Sequence, residues 1–274
     1  MSSGIYMWGW AFVMVLVPGL DSTCQTTAVG ARGVSMAGIS AGLEDVWASE
    51  NNPAGLARYS HVSLATSLEQ RYMMKELGYY ALAASIPAGS GCLGISTLFS
   101  GYRSFIHQKV NLSYGRLFGE HFLAGISLEY IFQTTGGESR PIHQVTYAIG
   151  TIVVLSEKVN LAFTTFNPFQ LYYRSQDYAT LPAIFKLGLS LQYSPSLIFF
   201  TECEKDLDLS PHLKIGIEYS IREIFFIRGG IGMFPATWSF GAAARQRRFL
   251  FEFASTYHQY LGFTPQVSLQ YDLK

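Results

Sequence analysis

Beyond residue 60 the chain alternates apolar and polar positions with a period of two. In HLKIGIEYS, Leu213, Ile215, Ile217 and Tyr219 share one side, and His212, Lys214, Gly216, Glu218 and Ser220 share the other. FKLGLSLQY repeats the pattern, with Phe185, Leu187, Leu189, Leu191 and Tyr193 opposite Lys186, Gly188, Ser190 and Gln192. So does the C-terminal run, where Val267, Leu269, Tyr271 and Leu273 oppose Gln266, Ser268, Gln270 and Asp272. Runs of this kind predict about fourteen strands, or twelve on a stricter reading. They lie near residues 61–69, 76–86, 91–100, 106–117, 120–132, 142–155, 158–166, 183–193, 196–204, 212–220, 223–232, 236–244, 247–257 and 265–273. Their lengths gather near the ~9–11 residues of a tilted membrane strand, and several exceed the ~5–6 usual in soluble sheets.

Connections follow the same bookkeeping. Tight turns are expected at 87–91, 117–121, 156–158, 194–196, 221–223 and 245–247, with longer loops between them, above all 134–141 and 167–182. Short turns on one side and longer loops on the other are the habit of outer-membrane barrels. Tyrosines and phenylalanines near run ends, such as Tyr79, Tyr114, Tyr193, Tyr219 and Tyr257, suit membrane interfaces, although soluble sandwiches share that feature.

Composition then separates membrane from soluble β proteins. The chain is 49% hydrophobic, 15% aromatic and 14% charged, against roughly 25% charge in an average soluble domain. The expectation is an all-β fold, a transmembrane antiparallel β-barrel. Nineteen basic residues balance nineteen acidic ones, which leaves no positive field for a nucleic-acid backbone.

The first residues read differently. An uncharged run from Ile5 to Leu20, broken by Pro18, Gly19 and Asp21, is too short to span a bilayer as a helix and reads as a secretory signal over 1–24. Lipidation at Cys24 is the lesser alternative, because Asp21 stands where lipoprotein signals usually carry an aliphatic residue. The three cysteines, Cys24, Cys92 and Cys203, form neither a C-x-x-C pair nor a metal spacing.

Catalytic motifs are absent: there is no P-loop, no dinucleotide fingerprint, no H-E-x-x-H and no G-x-S-x-G. The six histidines are scattered; His212 and His258 are expected near strand ends. No catalytic residue, metal or cofactor is assigned, and a non-enzyme is expected. Charged residues on the polar sides of the runs, Lys109, Glu129, Lys186, Lys214, Glu218, Arg228 and Glu252, are candidate lumen-lining groups. Their mixed signs favour pairing across strands over an ion-selective ring.

Between signal and strands lies TTAVGARGVSMAGISAGLEDVWASENNPAGLARYS, residues 26–60. Gly30-Ala31-Arg32-Gly33, Met36-Ala37-Gly38, Glu44-Asp45 and Asn52-Pro53-Ala54-Gly55-Leu56-Ala57 resemble the N-terminal pattern of the FadL-like outer-membrane superfamily. That superfamily includes long-chain fatty-acid and hydrocarbon transporters and the PorV/PorQ-type barrels of type IX secretion. The resemblance implies a fourteen-stranded barrel with an N-terminal plug, or hatch. Read physically, the glycines permit close backbone packing or positive φ, and Asn52-Pro53 favours a turn before the first wall strand. A plain lead-in turn is the alternative.

The expected organisation is a signal peptide at 1–24, a hatch at 25–59 and a barrel at 60–274. The expected role is passive uptake of hydrophobic small molecules across the outer membrane of a Gram-negative-type bacterium. Gly30, Arg32, Gly33, Gly38, Asn52, Pro53 and Gly55 would serve the hatch. The alternative is a non-enzymatic partner or scaffold in type IX secretion, with Phe169, Tyr172, Tyr173 and Tyr178 as external-loop contacts. Expected partners are outer-membrane lipid and either a hydrophobic small-molecule ligand or a secreted or secretion-system protein, with no nucleic acid.

Overall fold

The computed structural model describes residues 28–102, 105–134, 141–169, 181–207 and 209–273. Among them are fourteen antiparallel strands: β1 Val62–Gln70, β2 Gly78–Ala88, β3 Gly91–Tyr102, β4 Phe105–Phe118, β5 Phe122–Thr134, β6 Ile142–Ser156, β7 Val159–Phe166, β8 Ile184–Ser194, β9 Leu197–Asp206, β10 His212–Ile221, β11 Phe225–Met233, β12 Thr237–Gln246, β13 Phe249–His258 and β14 Gly262–Leu273. Each strand pairs with the next, and β14 returns to β1, with Val62 opposite Leu273 and Glu69 opposite Gln266. The sheet therefore closes into a barrel with no free edge. The largest departure from the predicted spans is at β14, which starts before Pro265. The ladder to β1 ends at Gln266, beside the proline that cannot donate a hydrogen bond.

At the end where β1 begins, neighbouring strands are joined by two or three residues, as at 89–90, 119–121 and 222–224. Longer connections, 71–77, 135–141, 167–183 and 207–211, all fall at the other end. This is the expected division into a turn end and a loop end.

Polarity across the wall is the reverse of a soluble protein. On β10, Lys214 is 4% exposed and Glu218 5%, while their neighbours Ile215 and Tyr219 are 52% and 48% exposed. The same inversion runs round the barrel, with Leu82, Leu128, Phe240 and Phe251 outside and Ser85, Glu129, Ser239 and Glu252 inside. Burying such polar groups is unfavourable unless each finds a partner, and so large an apolar exterior marks a surface made for something other than water.

Some partners are other wall residues, as Thr256 is for Ser239 and Arg228 for Glu252, and others, for Glu218 and Lys214, come from residues 28–57, which are mostly buried. Two single-turn helices, α1 Ala31–Val34 and α2 Ala48–Asn51, and a 3-10 turn over Pro53–Arg58 carry this segment. Met36, Leu43, Trp47 and Leu56 are all buried in it. Trp47 and Val46 pack with Ala65, Ala81 and Ala83 of the wall, and Met36, Ile39 and Leu43 pack on Phe200. Within the stretch SENNPAGLARYS, Asn52 to Leu56 are buried, while Arg58 and Ser60 are exposed.

Candidate functional site in the filled lumen

Three polar networks tie the internal segment to the wall. In the first, Arg32 donates from Nε and Nη2 to the two oxygens of Glu218 at 2.9 and 2.8 Å. Arg228 joins the same carboxylate at 2.6 Å and reaches Glu252 at 2.7 Å. Asp45 approaches Arg32 at 3.7 Å. A forked guanidinium meeting a carboxylate fixes orientation as well as charge. Burial pushes the Asp45 carboxyl up to about 6, with Arg32 opposing the shift.

In the second network Lys214 donates to Glu202 at 2.9 Å, to Glu204 at 2.6 Å and to the Gly38 carbonyl at 3.0 Å. Glu202 also accepts the backbone N–H groups of Ser40 and Ala41 at 2.8 and 2.7 Å. Lys186 donates to Ser40 Oγ at 3.0 Å. Gly38 sits at φ 78°, a left-handed turn suited to glycine that presents its carbonyl to Lys214. In the third, Lys109 lies between Glu50 of the segment and Glu129 of β5, the latter at 3.1 Å. Ser96 donates to Glu50 at 2.8 Å, and Asn111 to the Ser49 carbonyl at 2.8 Å. Lys186 also lies 3.6 Å from Glu204, so all seven charged residues proposed from the sequence as lumen-lining lie inside the barrel in ion pairs. Removing one member of a buried pair strands its partner, which costs about 3–5 kcal/mol when nothing replaces it.

Backbone contact is as close as the charge pairing. Gly115, Gly125 and Gly150 are aligned across β4, β5 and β6. Together they form a side-chain-free seat for the turn at Asn52-Pro53. A Cβ on Gly125 would lie 2.5 Å from the Pro53 carbonyl oxygen and 2.6 Å from the Ala54 nitrogen; one on Gly115 would lie 2.9 Å from the Ala57 nitrogen. Asn52 holds the turn shut. Its Oδ1 accepts from Ala54 N at 3.1 Å and its Nδ2 donates to the Ala41 carbonyl, while Pro53 occupies the first helical position. Gly55 is pressed against the Leu43 carbonyl and Ala48, so a Cβ there has no room. Gly30 and Gly33 are similarly tight against Trp47 and the Ile39 carbonyl.

Of the seven residues proposed from the sequence for a hatch, Gly30, Gly33, Asn52, Pro53 and Gly55 are buried, and Arg32 and Gly38 are partly exposed. Phe169 is 78% exposed, its ring 6.2 Å from Tyr147, at the loop end. Tyr172, Tyr173, Tyr178, Cys24 and the proposed signal lie outside the described residues. His212 and His258 stand at the loop-end termini of β10 and β13. Pattern reading missed the segment-facing wall: Glu202, Glu204, Asn111 and the three-glycine seat. The available signal was glycine recurring on the polar side of successive strands. Among the described residues no three His, Cys, Asp or Glu side chains gather as a metal site requires.

Between the internal segment and the loop end lies a cavity of about 150 Å3. Val29, Glu50 and Asn51 form its floor, and its walls include Tyr79, Leu98, Lys109, Ile131, Phe166 and Gln266.

No family model and no curated protein sequence matches the chain. Solved structures do. The monoaromatic hydrocarbon channel CymD matches with a TM-score of 0.69 at 12% identity, over 90% of this chain and 98% of that one. The Ralstonia pickettii toluene transporter TbuX matches with a TM-score of 0.69 at 12% identity, over 91% and 100%. A Pseudomonas aeruginosa FadL homologue matches with a TM-score of 0.62 at 12% identity, over 89% and 98%. The chain therefore has the fold of the FadL-like barrels that its residues 26–60 resemble.

Proposed function

We propose that this protein spans an outer membrane and passively admits hydrophobic small molecules, with residues 28–58 as the hatch that closes its lumen. The observation that carries the reading is a barrel apolar outside and polar inside, whose interior is occupied by its own N-terminal segment. Toward the loop end, beside Val29 and Asn51 of that segment, is a partly apolar cavity. The names of the structural neighbours, hydrocarbon channels and a toluene transporter, agree with it. A ligand would settle in the cavity from the loop side and pass when the segment shifts. An open ion pore fits less well, because the lumenal charges are consumed in pairs.

The test is uptake of labelled toluene by proteoliposomes containing the assembled barrel. Faster entry than into protein-free vesicles, accelerated further by weakening the segment's contacts, is expected. Entry equal to that of empty vesicles overturns the reading. The secretion-partner alternative makes a different forecast: native mass spectrometry of protein gently extracted from its own membrane would show a stoichiometric protein companion instead of small apolar adducts.

A further inference from the structure

We propose that the outside of the wall, where β11, β12 and β13 approach the turn end, binds one anionic phospholipid, with an acyl chain laid along β12 and the phosphate held by the arginines of the two neighbouring turns. The inference rests on the membrane-spanning part of the proposed function and does not depend on what passes through the lumen.

The tail site is a furrow written in the strand register. On the outer side of β12, Ala244 stands opposite Phe225 of β11 and Phe251 of β13, and Ala242 stands opposite Ile227 and Phe253. Two small side chains thus lie between two ridges of large ones. The ridges follow strands on either side of β12, roughly 10 Å apart, which leaves the width of one hydrocarbon chain between them. Leu68, Phe225, Phe251 and Phe253 border the resulting groove, whose volume is about 490 Å3. Elsewhere on this face large side chains such as Phe240 and Ile215 stand out from the wall, 50% and 52% exposed.

The furrow opens at its lower end between two basic turns. Beyond Ala244 the β12–β13 hairpin turns through Arg247 and Arg248, and the β10–β11 turn carries Arg222. The Arg245 N–H donates to the Ile224 carbonyl at 2.7 Å, which holds the two turns side by side. Arg222, Arg247 and Arg248 are all exposed, and none of them joins an ion pair among the described residues. Their one acidic neighbour in these turns is Glu223. The turns across the barrel, 119–121 and 156–158, carry Glu120 and Glu157 against Lys158, so the positive charge is confined to one arc. Guanidinium groups suit a phosphate, and a basic cluster at a membrane surface attracts anionic headgroups. An acidic protein held by the same arginines would have no use for the apolar furrow that leads away from them. A tail and a phosphate on one molecule match both parts.

The experiment is native mass spectrometry of the full barrel in a neutral detergent, titrated with dioleoylphosphatidylglycerol and with dioleoylphosphatidylethanolamine, which share their chains and differ in charge. Three arginines less one glutamate leave two net positive charges, and at about fivefold for each the first phosphatidylglycerol is expected to bind roughly 30-fold more tightly. A preference of about fivefold or less, the share of a single arginine, overturns the inference. Arg247→Gln with Arg248→Gln should abolish the preference, whereas Arg116→Gln with Lys158→Gln, which removes the same charge from the opposite arc, should leave it. Equal losses in the two double variants would mean that net charge acts without a site. Ala244→Phe fills the furrow and should weaken both lipids by the same factor; unchanged affinity overturns the tail placement. Protein taken from its own membrane that retains an acidic protein in place of phospholipid, released by Arg247→Gln with Arg248→Gln, also overturns it. Flotation with liposomes after an alkaline wash separates the two claims. A barrel that floats but shows no phosphatidylglycerol preference sinks only this inference, and one that washes off sinks the membrane-spanning reading and the site with it.

Discussion

Adding one methyl group at Gly125 tests whether the internal segment is seated on the wall as the packing indicates. The new Cβ would stand 2.5 Å from the Pro53 oxygen and 2.6 Å from the Ala54 nitrogen, where ordinary contact begins at 3.4 Å, an overlap of close to an ångström. Local rotation cannot relieve it, because the neighbours are backbone atoms fixed by Asn52, and the wall on either side is locked by Gly115 and Gly150 in register. Overpacking of a close-packed site costs about 1–3 kcal/mol, which raises the population of the lifted segment roughly 5- to 150-fold. Cys92 is a built-in reporter. It is fully buried, on the inner face of β3, beneath Ala48 and Leu56 of the segment. A water-soluble thiol reagent reaches it through the lumen only when the segment lifts. Gly125→Ala should raise its labelling rate by that factor. Gly229→Ala should not, because a Cβ there meets its nearest atom at an ordinary 3.8 Å. Equal Cys92 rates in the two assembled variants would refute the seating.

Arg32→Met removes the forked contact with Glu218 but leaves Arg228 on the same carboxylate. The expected loss of segment docking is therefore below the full price of a stranded buried charge, about 2 kcal/mol, read as roughly 30-fold faster Cys92 labelling. Lys109→Met leaves Glu50 and Glu129 facing each other, so the single variant should melt lower than the double variant with Glu50→Gln; additive melting shifts would contradict the network. Asp45 supplies the pH test. Its carboxyl is raised to about 6 in the docked segment, so docking gains from its protonated form at low pH and loses that gain as pH rises through about 6. Cys92 labelling, normalised to the denatured chain at each pH, should slow more between pH ~7 and ~5 in the parent than in Asp45→Asn. Identical pH profiles would remove Asp45 from the account.

Strand spans were legible because a wall with two different faces writes itself into the chain as strict alternation, and a closed barrel forces nearly every residue past 60 into that code. Which face points inward is not in the alternation: Leu213-Lys214-Ile215 reads the same in a soluble sandwich, and low overall charge decided the matter. The ion pairs were half legible. Lys214 and Glu218 announced polar contents, but the partner of Glu218 is Arg32, 186 positions away, and no local pattern encodes that meeting. The glycine seat was hidden for the same reason. Gly115, Gly125 and Gly150 each look like a weak point in a strand, and they become one flat surface only when three strands come into register and a proline turn is laid across them. The family-like stretch Asn52-Pro53-Ala54-Gly55 and these wall glycines are therefore two halves of a single contact. A substitution that disturbs the turn and one that disturbs the wall should be non-additive, since each alone already lifts the same atoms. A Gly125→Ala, Asn52→Ala double variant that labels Cys92 at the product of the two single effects would show them to be independent and would dissolve the seat as a physical unit.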